Sequence, residues 1–93
     1  MDEVNQYKVY VTVDVKLRND GRMLPRIITW EDGNKYKIDK VLEIRPAHAM
    51  KAGGSGDRYT IQINGKQSYL FFERSGAISG CNLGRWFVER RTA

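Results

Sequence analysis

Residues 7–17 read YKVYVTVDVKL, an unbroken alternation in which Tyr7, Val9, Val11, Val13, Val15 and Leu17 occupy every second place. Successive side chains of a β-strand point to opposite faces, so this spacing buries one row and turns Lys8, Tyr10, Thr12, Asp14 and Lys16 toward water. The valines also favour strand, because β-branched side chains pack well on a pleated surface. A strand of eleven residues exceeds the usual length, and in a chain of 93 it has to bend or coil around a small barrel.

The rest of the chain repeats the pattern in shorter pieces. Asn19-Asp20-Gly21 is a turn, and Leu24 to Trp30 follows as a second strand, with Pro25 confined to a strand start or an edge because it cannot donate a ladder hydrogen bond. Glu31 to Asn34 is the next turn, and Lys35 to Arg45 alternates through Tyr36, Ile38, Leu42 and Ile44, so strands two and three should form a hairpin. Pro46 to Gly56 breaks the alternation and reads as a flexible glycine-rich loop. Arg58 to Ile63 and Gln67 to Phe72 are strands around Asn64-Gly65, and Arg85 to Arg90 is the last, with Trp86 and Val88 on one face and Phe87 on the other.

The register of the 58–72 hairpin has two solutions. A two-residue turn pairs Ile63 with Lys66 and sets Tyr69 and Phe71 beside Arg58, Thr60 and Gln62 on the wet face. A three-residue turn with a bulge at Gly65 pairs Gln62 with Lys66 and groups Tyr59, Ile61, Tyr69 and Phe71 on the core face. The second keeps both faces chemically uniform and is the expectation, although it leaves Leu70 and Phe72 in need of other cover.

About six strands and less than about 15% helix imply an all-β fold, a small antiparallel barrel of the SH3-like kind. Ser75 to Gly84, irregular and holding three of the glycines, is the one place where a short helix could form. The length fits a single domain over 1–93, with 1–6 as an N-terminal tail and 46–56 as the loop. No run reaches the roughly 18 apolar residues of a membrane helix, and Met1 to Gln6 lacks the features of a signal peptide, so a cytoplasmic protein is expected.

Catalytic chemistry finds no support. His48 has no partner that spacing can nominate, and Cys81, the single cysteine, lies in a glycine-rich stretch with no adjacent histidine. No serine sits in a nucleophile elbow, and the carboxylates are dispersed among Lys and Arg. Lys51 precedes the glycines of its loop and a strand follows them, the reverse of a phosphate-cradling loop that opens a helix. A non-enzymatic protein without metal or cofactor is the expectation.

The cations remain. Sixteen Lys and Arg against eleven Asp and Glu give a formal charge of +5, a balance compatible with a polyanionic partner and equally with plain solubility. Arg45, Lys51 and Arg58 bracket the glycine loop, and Arg85, Arg90 and Arg91 lie on or after the closing strand. Small barrels bind single strands by combining such cations with aromatic side chains that stack bases. These six residues are the candidate nucleic-acid contacts.

Pro25-Arg26, Trp30, Asp32-Gly33, Tyr36, Ile38, Val41-Leu42, Tyr59, Ile61, Ile63, Gly65, Leu70-Phe71-Phe72 and Trp86-Phe87-Val88-Glu89 together resemble a group of small bacterial β-domains, some of which occur in proteins similar to Y-family DNA polymerases. The resemblance runs from about residue 24 to 90; the long first strand and the 46–56 loop lie outside it. It implies the small barrel fold and DNA-repair company, and it carries over no site residue. The expected function is a non-catalytic accessory module that contacts single-stranded nucleic acid or a nucleoprotein. The alternative is a protein-interaction module or a homodimer, formed by β-addition along the long first strand.

Overall fold

The computed structural model describes residues 5–48, 55–74 and 84–92. Seven strands run through them: β1 Asn5–Leu17, β2 Met23–Thr29, β3 Lys35–Lys37, β4 Lys40–His48, β5 Ser55–Ile63, β6 Lys66–Arg74 and β7 Gly84–Thr92. They form one antiparallel sheet in the order β3-β2-β1-β7-β6-β5-β4, curled like a barrel, and no helix occurs among the described residues. The all-β, barrel-like expectation holds, with seven strands in place of six.

The extra strand arises at Ile38-Asp39. Lys35 to Lys37 pairs with β2, whereas Lys40 onward pairs with β5. Between them the Ile38 N–H donates to the Arg26 carbonyl (2.9 Å) and the Asp39 N–H to the Gln62 carbonyl (2.8 Å), so the chain changes partner within one step. Ile38 drops into the core at that step, which fixes the bend. The single expected strand Lys35–Arg45 is therefore two, meeting at a corner of the curled sheet.

β1 turns the opposite corner. Its first half, Asn5 to Val11, pairs with β7, and its second, Thr12 to Leu17, pairs with β2, with a bulge between Asp14 and Val15. The unusual length is thus used to hold both parts of the sheet. The alternating row is buried only in the middle: Val9, Val11 and Val13 are partly buried, while Tyr7, Val15 and Leu17 at the ends are exposed. Asn5 and Gln6, expected in a tail, are strand residues paired with Thr92 and Arg91.

Inside the curl, Ile28, Ile38, Tyr59, Ile61, Leu70, Phe72 and Trp86 form the core. Each fully buried aliphatic among them contributes about 1.5–3 kcal/mol. Trp86 anchors the cluster, with its ring 5.0 Å from Tyr59 and 4.9 Å from Phe72 between centroids.

The 58–72 hairpin takes the register that was not expected. Ile63 pairs with Lys66 and Gln62 with Gln67. Asn64 (φ 51°) and Gly65 (φ 77°) form a two-residue turn with both residues left-handed, the conformation whose twist matches the flanking strands. Leu70 and Phe72 thereby enter the core beside Tyr59 and Ile61, and Tyr69 and Phe71 go to the outer face. Burying Leu70 completely outweighs keeping Tyr69 dry, since a tyrosine hydroxyl is at home in water.

The 46–56 loop is shorter than expected, because Pro46, Ala47 and His48 continue β4 and Ser55 and Gly56 open β5. Pro46 is tolerated because β4 is an edge strand. The core of that loop, 49–54, and the 75–83 segment lie outside the described residues.

Candidate nucleic-acid interface

Strand alternation decides what the outer face carries. Opposite Trp86 and Phe72, the neighbouring residues Phe87 and Phe71 are cross-strand partners, and they extend on one side to Tyr10 and on the other to Arg58. The Phe71 and Phe87 rings stack, and Tyr10 meets Phe87 edge-on at 5.8 Å. Phe87 is only 6% exposed although it points away from the core, because Lys8, Tyr10 and Phe71 cover it.

Cations lie over these rings. Lys8 Nζ sits 4.8 Å from the Phe87 centroid, the Arg85 guanidinium 4.1 Å from Tyr10 and the Arg58 guanidinium 4.7 Å from Tyr69. Tyr69 is 45% exposed, so the Arg58–Tyr69 pair presents aromatic surface to solvent. A cation over an aromatic face is attracted by the ring quadrupole, by about 0.5–1 kcal/mol at an exposed site.

Glu73 organises the β1–β7 side. Its carboxylate accepts from Lys8 Nζ (3.0 Å), Tyr10 Oη (2.9 Å) and Arg85 Nη2 (3.5 Å). Partial burial by itself would raise its pKa. The hydrogen bonds from Lys8 and Tyr10 and the charges of Lys8 and Arg85 outweigh it and hold the carboxyl below its ordinary value. Burial and the Glu73 hydrogen bond push the Tyr10 phenol up in turn. Lys8 and Arg85 thus share one carboxylate, and Arg85 keeps a half-exposed side chain.

Arg58 is differently placed. The carboxylate of Glu43 is 3.9 Å away and is shared with Arg45 at 3.1 Å. Arg58 Nε is buried with no hydrogen-bond partner among the described residues. The side chain is nonetheless 34% exposed, so its terminal nitrogens are open to an anion.

Of the six expected contact residues, Arg45, Arg58 and Arg85 share the outer face. Arg90 does not. It follows Trp86 and Val88 in alternation, pairs with Tyr7 and lies 5.3 Å from the Trp30 ring on the opposite side of the sheet. Arg91 pairs with Gln6 through the backbone, and Lys51 lies outside the described residues. The patch instead recruits Lys8, Tyr10, Tyr69, Phe71 and Glu73. Lys8 and Tyr10 were legible as the wet row of the first strand; Tyr69 and Phe71 depended on the hairpin register.

No family model, curated protein or solved structure matches this chain.

Proposed function

We propose that this protein is a non-catalytic binding module that takes single-stranded nucleic acid across the outer face of β1, β7, β6 and β5. The observation that carries the reading is Tyr69, exposed on the sheet surface beneath the partly exposed Arg58 guanidinium. A base has a π-face for the aromatic ring, and the adjoining phosphate has oxygens for the guanidinium. This pairing of stacking platform and cation is how sequence-tolerant single-strand binders work. Arg45 and Arg85 on the same face extend the phosphate path in two directions. The net charge of +5 favours association with a polyanion from any approach. The resemblance to β-domains found in proteins similar to Y-family DNA polymerases agrees with such a partner.

Base stacking contributes about 1–3 kcal/mol per base, so Tyr69→Ala should weaken binding of a labelled oligothymidylate by about tenfold or more at low salt. Fluorescence anisotropy measures it, with urea denaturation to verify that the variant stays folded. Equal affinities for the two proteins would remove the stacking platform from the account.

A further inference from the structure

Among the described residues the curl of the sheet does not close. β2 is paired with the β3–β4 chain only as far as Arg26, whose carbonyl accepts from Ile38, and among the described strands β4 pairs only with β5. From the corner at Ile38-Asp39 the two edges therefore diverge, Met23 to Pro25 on one side and Val41 to Ile44 on the other. The gap is a cleft of about 770 Å³, lined by Met23, Val41, Leu42, Ile44, Tyr59 and Phe72. Its volume is in the range of ligand sites in barrel mouths.

Two features of the cleft point to what it holds. The first is unused backbone. Ile63 and Lys66 close the two-residue turn, so Tyr59, Ile61 and Ile63 exchange hydrogen bonds with β6, and Arg58, Thr60 and Gln62 turn theirs toward β4. The bond from Asp39 N–H to the Gln62 carbonyl agrees. Glu43 and Arg45, opposite Thr60 and Arg58, therefore face β5, and the N–H and C=O of Ile44 point out of the sheet. Pro46 shares that outward phase, where its missing N–H breaks no ladder bond. Ile44 is 39% exposed and Leu42 47%, so the free edge also carries uncovered apolar side chains.

The second feature is charge. Arg18, Arg22 and Arg74 stand around the apolar lining, with Glu43 and Asp57 the only carboxylates among the described lining residues. Asp57 is held by Arg74 at 2.7 Å and Glu43 by Arg45 at 3.1 Å. Arg18 and Arg22 share the single carboxylate of Asp20, at 3.8 and 3.9 Å. Two guanidiniums on one loosely held carboxylate leave positive charge at the mouth.

The geometry points to a peptide site in this seam: an extended acidic segment of a partner protein adds as a strand to the free edge of β4 at Ile44. Its backbone pairs with the outward N–H and C=O of Ile44, alternate side chains fill the space between Met23, Tyr59 and Phe72, and its carboxylates meet Arg18 and Arg22. A small apolar ligand would leave the edge backbone unpaired. The bulge at Leu42 and the proline at 46 confine the pairing to a short stretch, so the edge accepts one strand without templating a fibre. This site lies apart from the outer-face patch and stands or falls separately from it.

The test uses the full chain, labelled with ¹⁵N, and a blocked hexapeptide alternating Glu and Val, with the Lys–Val hexapeptide as comparison. Amide shifts should concentrate at Ile44, Val41 and Met23, and the Lys–Val peptide should bind at least about tenfold more weakly, since like charges at the mouth repel it. Ile44→Pro removes an outward N–H without touching the β5 ladder and should abolish the shifts. The doubly exposed-side variant Arg18→Ala/Arg22→Ala, which spares all backbone bonds, should erase the difference between the peptides. An Ile44 amide already protected from exchange in the free protein would overturn the proposal, since another part of the chain or a second copy would then hold the edge. Equal binding of the two peptides by the unaltered protein, shifts confined to the outer face, or displacement of the peptide by an oligonucleotide would each overturn it as well.

Discussion

The rings of Phe71 and Phe87 lie face to face on the outer surface of the sheet, 5.0 Å between centroids and 7° from parallel. This pair welds β6 to β7 on the side away from the core, and it forms the floor on which Lys8, Tyr10 and Arg85 are arranged. Stability and the candidate interface therefore meet in the same two residues, and variants can separate them.

Phe87→Ala removes a nearly buried ring and should destabilise the protein by about 3 kcal/mol, in the range of large-to-small aromatic substitutions. Tyr69→Ala, at an exposed position two residues along β6, should change stability by less than about 1 kcal/mol. Urea denaturation of the two variants checks the contrast. A similar loss for both would mean that Tyr69 is a packing residue and not a free platform.

Glu73 gives the fold a defined response to acid. Its pKa is depressed in the folded chain, so its contribution is present above the ordinary value of 4.5 and is lost as pH falls below that value and through the folded one. Glu73→Gln should remove this part of the acid dependence, read as a flatter fall of the denaturation midpoint below pH 4.5. At neutral pH the same variant releases Lys8 and Arg85 and should bind single-stranded nucleic acid more tightly than the unaltered protein. Weaker binding by Glu73→Gln would show that the carboxylate holds the cations in place for the ligand.

How far the sequence foretold this arrangement depends on where the physics is local. The alternation of residues 7–17 is a local pattern, and it identified β1 and its bend. Asn64-Gly65 identified the hairpin equally well, but not its register. That register depends on whether Leu70 or Tyr69 goes inward, a tertiary choice which uniform faces argued the wrong way. The partner change at Ile38-Asp39 leaves no mark in the alternation, because Tyr36, Ile38, Leu42 and Ile44 read as one strand. Arg45, Arg58 and Arg85 were found as cations near irregular segments. Proximity in sequence groups Arg90 with them, whereas its alternation with Trp86 and Val88 places it on the other side.

Two glycines mark where β6 is hemmed in. A Cβ at Gly56 would overlap the Phe72 carbonyl, and one at Gly84 would overlap that of Glu73, with Gly84 held at φ 150°. Each overlap is with backbone in the middle of a paired sheet, which has no room to yield. Gly56→Ala and Gly84→Ala should each destabilise by more than about 2 kcal/mol, whereas Gly21→Ala, at a turn with nothing near its Cβ, should lose about 1 kcal/mol from backbone strain. Thermal denaturation would order the three.

Single-stranded nucleic acid bound on the outer face should show itself most directly in the salt dependence of its binding. Each phosphate contact on a single strand contributes a log–log slope of about −0.7, so contacts at Arg45, Arg58 and Arg85 should together give about −2. Anisotropy titrations of a labelled oligothymidylate across a range of salt concentrations should show that slope for the unaltered protein and a clearly shallower one for Arg45→Ala/Arg58→Ala/Arg85→Ala with its fold intact, since the Lys8 cation remains on this patch. No binding at low salt, or the same slope in the triple variant, would contradict the account.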